Sequence, residues 1–138
     1  MLETLLQPLR PYALPPLTEQ PPDLLPWSRT DPWNFDRAAR MTLGVLLAGE
    51  QPGAQLFALA DYLLTFFIEG YGPPQYPDAP LLNGTALALC GYRCAGAHPE
   101  AELWRVTGCA RLATEVHARR AALDNQIAAD CLLVVCQA

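Results

Sequence analysis

The chain has 138 residues, 51% of them hydrophobic and 17% charged, with a formal net charge of −5. That length fits one domain with a single core and leaves no room for a multidomain machine. All nine basic residues are arginine and the one adjacent pair is Arg119-Arg120, so neither nucleic acid nor an anionic membrane surface is an expected partner, because phosphate binding draws on clustered cations.

Eight of the 14 prolines fall in the first 32 residues. Proline fixes φ and removes an amide donor, so residues 1–30 are expected to form an extended, polyproline-like arm and no regular core element. Its leucines, Tyr12 and Trp27 make it too apolar for a solvated linker. The reading is an arm strapped across its own domain; the functional alternative is a partner-docking segment. Met1-Leu2-Glu3-Thr4 lacks a basic start, so no signal peptide is expected.

Regular structure is expected from residue 31 onward, as one helical domain over 31–138. Asp31 at the N-cap and Pro32 at the first helical position open helix one, which runs to about Ala48 and stops at Gly49. A second helix, from about Pro52 to Glu69, is apolar nearly all round and needs cover on most sides. These two make hairpin one (31–70). Residues 71–80 read as a loop by composition. Leu81–Ala95 and Pro99 to about Arg120 read as helices three and four, hairpin two (81–120). Residues 121–138 are ambiguous: CLLVVC suits a short strand or a fifth helix, and helix is preferred because nothing else in the chain offers a β partner.

The most informative pattern is a self-match at an offset of 47 residues, Gly44–Phe57 against Gly91–Trp104. Gly, Ala-Gly, Pro, Ala and Leu recur at equivalent positions, and an aromatic closes each copy. Gly44 and Gly91 leave room for close helix crossing, Gly49 and Gly96 suit the left-handed conformation that ends a helix, and Pro52 and Pro99 are expected to begin the next one. The A-G-x-x-P-x-A turn resembles that of tetratricopeptide hairpins, although the period differs from the roughly 34 residues of that repeat. The expected fold is all-α, with four to five helices as stacked antiparallel hairpins, TPR-like or an orthogonal bundle.

Five cysteines, an odd number in apolar surroundings, fit free thiols in a reducing cytoplasm better than a disulfide scaffold. Cys90, Cys94 and His98 are spaced four apart and would share one face of a continuous helix, the one pattern that suggests a metal. Structural zinc normally takes four ligands, and Gly96 interrupts the helix before His98, so packing is the preferred role. A Cys–His catalytic pair would draw on Cys94 or Cys109 with His98 or His117. No phosphate-cradling loop, nucleophile elbow or dinucleotide fingerprint is present. No cofactor, catalytic residue or membrane span is expected.

The functional expectation is a non-enzymatic protein-binding adaptor, dedicated chaperone or assembly factor, cytoplasmic, with a protein partner or further copies of itself. Tyr12, Leu24, Leu25, Trp27, Trp33, Tyr71 and Tyr76 are the candidate anchors. The alternatives are a small enzyme with a thiol or metal site and a purely structural self-associating subunit.

Overall fold

A computed structural model describes residues 2–14, 32–49, 51–69, 79–118 and 126–137. Among them the chain is helical throughout its regular elements, with no strand. In order come α1 (Leu2–Leu6), a 3-10 helix (Gln7–Tyr12), α2 (Pro32–Leu47), α3 (Ala54–Glu69), α4 (Ala79–Arg93), α5 (Ala101–Ala118) and α6 (Gln126–Gln137). The all-α expectation holds.

The N-terminal arm differs from expectation. Residues 2–12 are helical and not extended, which adds a sixth α-helix to the four or five expected. The reason lies in the side-chain spacing. Leu2, Leu5, Leu6, Leu9 and Tyr12 recur every three or four residues and form one apolar face, and proline's fixed φ is compatible with a helical backbone at Pro8 and Pro11. Leu6 and Leu9 are fully buried, so the segment does contribute to the core. It packs on α2 and α6. Residues 15–30 lie outside the described residues.

The ambiguous C-terminal stretch resolves as helix over residues 126–137. Ala128, Cys131 and Val134 are buried at intervals of three, a helical period that a strand would not produce.

α4 is the centre of the molecule. Every residue from Leu81 to Gly91 is buried, because α4 packs against α2, α3, α5 and α6 at once. Its sequence from Leu81 carries no charge before Arg93, so this enclosure imposes no ionic desolvation. The closest packing is with α5. Gly84 faces Gly108 and Leu112, while Gly91 faces Ala101 and Arg105, so the two helices run antiparallel with their backbones nearly in contact.

The turns that end α2 and α4 each use a left-handed glycine, Gly49 at φ 73° and Gly96 at φ 82°. Side chains rarely adopt that conformation, so the self-match in the sequence marks an actual backbone requirement. The prolines stand elsewhere than expected. The first helical bonds run from Phe57 N–H to the Gly53 carbonyl and from Trp104 N–H to the Glu100 carbonyl, each 3.0 Å. Gly53 and Glu100 are therefore the N-caps, and Pro52 and Pro99 precede them, outside the helices.

Candidate functional site

The two turns of the self-match meet in space through the aromatic residues that follow them. The Phe57 ring, at the start of α3, lies 4.6 Å from the His98 imidazole and 6.3 Å from the Trp104 indole. His98 in turn stacks on Trp104 with ring centroids 4.5 Å apart. Trp104 is fully buried. His98 Nδ1 accepts a hydrogen bond from the Glu100 N–H at 3.1 Å, which leaves the proton of the neutral ring on Nε2. The imidazole is thus built into the turn as a stacking and capping element.

Asp61, one turn along α3 from Phe57, reaches this cluster. Partial burial raises its carboxyl above the usual value of 3.8, and the Glu100 charge raises it further, while His98 and the Trp104 indole N–H act in the opposite sense. That N–H is buried and makes no hydrogen bond of normal geometry. Its influence on Asp61 is a weak polar attraction and not a full bond.

Beside the cluster opens a cavity of about 250 Å³ between Gly91, Tyr92, Gly96, His98, Glu102 and Arg105. Arg105 is committed within it. Its Nε donates to Glu102 at 2.9 Å, a second donor meets the other carboxylate oxygen, and the guanidinium lies 5.7 Å from the Tyr92 ring centre. The cavity therefore offers a neutralised cation, which suits it poorly to an anionic ligand.

Cys90 and Cys94 are buried free thiols. Burial pushes the Cys90 thiol well up, with Cys94 adding to the effect, and burial also raises Cys94 against a smaller opposing pull from Arg93. Both side chains pack in the helical core among apolar neighbours. His98 leaves their face because Gly96 turns the chain, and among the described residues no three His, Cys, Asp or Glu side chains gather where a metal could sit. Cys109 is half-buried on α5, and His117 is exposed in the last turn of the same helix.

No protein family, curated protein or solved structure matches this chain. No helix among the described residues is long and apolar enough to cross a membrane.

Of the anchors expected from the sequence, Tyr12 is used inside the chain: its hydroxyl donates to Asp130 Oδ2 at 3.0 Å. Trp33 lies in the first turn of α2, with its side chain outside what is described, as are Leu24, Leu25, Trp27, Tyr71 and Tyr76 altogether. What sequence reasoning missed is the outer face of α5. Leu103 and Val106 are 47% and 48% exposed, and Ala110 and Ala113 continue the same side. The signal was available, because Trp104, Gly108 and Leu112 at intervals of four define the buried face and place Leu103 and Val106 off it.

Proposed function

We propose that this protein is a non-enzymatic protein-binding adaptor, dedicated chaperone or assembly factor, of the kind bacterial secretion systems and phages use, built on TPR-like helical hairpins. One observation carries the reading: Leu103 and Val106 stand nearly half exposed three residues apart on α5. Continued by Ala110 and Ala113, they give α5 an uncharged outer stripe in a chain that is rich in apolar residues elsewhere. Such stripes lie where another protein covers them. Covering these two side chains would contribute about 1 kcal/mol each.

The two left-handed turn glycines support the repeated-hairpin part of the reading. The free thiols of Cys90, Cys94, Cys109 and Cys131 support a reducing, cytoplasmic setting.

The test compares affinity purification from the native host with the wild-type chain and with Leu103→Asp/Val106→Asp. A binding partner retained by the first and lost by the second, with thermal stability unchanged, is the expected result. The same set of bound proteins with both chains would overturn the reading.

A further inference from the structure

We infer that the cavity at the carboxyl end of α4 is a binding site for a guanidinium group, such as an arginine side chain presented by another molecule. The site is separate from the outer stripe of α5 on which the adaptor reading rests.

The lining has the chemistry of a cation site. At the end of α4 the Cys90 carbonyl accepts the Cys94 N–H, and the Cys94 carbonyl accepts those of Ala97 and His98. Between them, the carbonyls of Gly91, Tyr92 and Arg93 accept no main-chain N–H. They stand at the negative end of a 15-residue helix, and Gly91 and Tyr92 line the cavity. Glu102 lines it as well, with a side chain that is 71% exposed, and the Tyr92 and His98 rings add π surfaces that attract cations. Glu100 and Asp61, whose carboxylates act on each other beside His98, add further negative charge in a chain whose net charge is −5. Arg93, at the same helix end, pairs with Glu3 at 3.0 Å and takes no part in the lining. The cation in the lining, Arg105, is already committed to Glu102.

Arg105 also shows which cation fits. Its guanidinium meets both oxygens of Glu102, with Nε at 2.9 Å, and lies 5.7 Å from the Tyr92 ring centre. A planar fork matches a carboxylate in this way, whereas an ammonium acts as a point charge. The carboxylate is not exhausted by this pairing. Its two oxygens offer about four acceptor sites, of which Arg105 takes one on each oxygen. An incoming guanidinium therefore shares Glu102 with Arg105 and donates its other N–H groups to the carbonyls at the end of α4, in a cavity of about 250 Å³.

The test titrates the isotope-labelled full-length chain with ethylguanidinium, and separately with the peptide acetyl-Gly-Arg-Gly-amide, while NMR follows the backbone amides. Saturable shifts at Gly91, Tyr92, Gly96 and Glu102 are expected, with half-saturation on the order of millimolar. Ethylammonium is expected to bind at least about fivefold more weakly. Equal affinity for the two guanidinium probes assigns the site to a free small molecule, and tighter binding of the peptide assigns it to an arginine of a protein. Glu102→Gln, a change at an exposed side chain, is expected to weaken ethylguanidinium about fivefold. Arg105→Ala leaves the whole carboxylate and the Tyr92 ring to the ligand and is expected to tighten it about fivefold. No saturable shift up to about 100 mM probe, equal binding of ethylammonium, or an affinity unchanged in both variants would overturn the inference.

Discussion

Gly91 of α4 and Arg105 of α5 are in backbone contact: a methyl group on Gly91 would stand 2.5 Å from the Arg105 amide nitrogen and 2.6 Å from the Ala101 carbonyl oxygen. Further along the pair, a methyl group on Gly108 would stand 2.6 Å from the Gly84 carbonyl oxygen. Both obstacles are backbone, which cannot rotate aside. The α4–α5 pair is held together by the absence of two side chains.

Gly91→Ala and Gly108→Ala are therefore each expected to destabilise the fold by about 2–4 kcal/mol, because the helices must separate and loosen the packing around α4. Gly84→Ala, whose nearest obstacle is 3.3 Å away, should cost less. Gly53→Ala meets only the Gln51 carbonyl oxygen at 3.8 Å, so it should cost only the loss of a favoured N-cap residue, about 0.5–1 kcal/mol. Urea denaturation of the four variants checks the order, and equal losses at Gly53 and Gly91 would contradict the close-contact account.

Gly49 and Gly96 test a different term. No atom would obstruct a side chain at either position, yet both have positive φ. Alanine at each should cost about 1–2 kcal/mol through backbone strain alone. Chemical denaturation of the two single variants should give similar values, since the two turns share one conformation.

Trp104 fills the centre of the turn cluster, so Trp104→Ala is expected to lose about 3–5 kcal/mol. Trp104→Phe keeps a ring against His98 and removes a buried N–H that makes no hydrogen bond. It should lose much less than the alanine variant, a contrast that thermal unfolding resolves.

Asp61 carries a pH signature. Its carboxyl is raised in the folded state, mainly by desolvation and then by Glu100, so between its unfolded and folded values the native state holds more protons than the unfolded one. Its contribution to stability is then highest at acid pH and falls as pH rises from the usual 3.8 through the raised value. Asp61→Asn removes the ionisation and should melt higher than wild type above that window, with the difference vanishing below it. A constant difference across pH would show that Asp61 acts through packing.

The N-terminal segment should respond in proportion to what each residue buries. Leu9→Ala is expected to cost up to about 2–4 kcal/mol and Tyr12→Phe about 1–2, the latter by removing a hydrogen bond to a carboxylate that Gln126 still contacts at 2.8 Å. Hydrogen exchange should show early loss of protection at residues 2–14, ahead of α4. Simultaneous exchange of both would mean that the segment does not open separately.

The sequence by itself determined the helical class, the main helix limits to within about two residues, and the two turns with their left-handed glycines. These are local matters: side-chain period, cap chemistry and the conformational freedom of glycine act over a few neighbouring residues. It misled where two local signals disagreed, as in residues 2–12. There proline density argued for an extended arm, and the leucine spacing that argued for a helix prevailed once a groove was available to bury Leu6 and Leu9. The self-match also gave no hint that its two turns would touch through Phe57, His98 and Trp104. Only the tertiary structure decided that contact, the enclosure of α4 on all sides, the service of Tyr12 and Arg93 as fastenings for the N-terminal segment, and the exposure of Leu103 and Val106. Each depends on which elements become neighbours, a choice made by the summed burial of the whole chain and not by any short stretch of it.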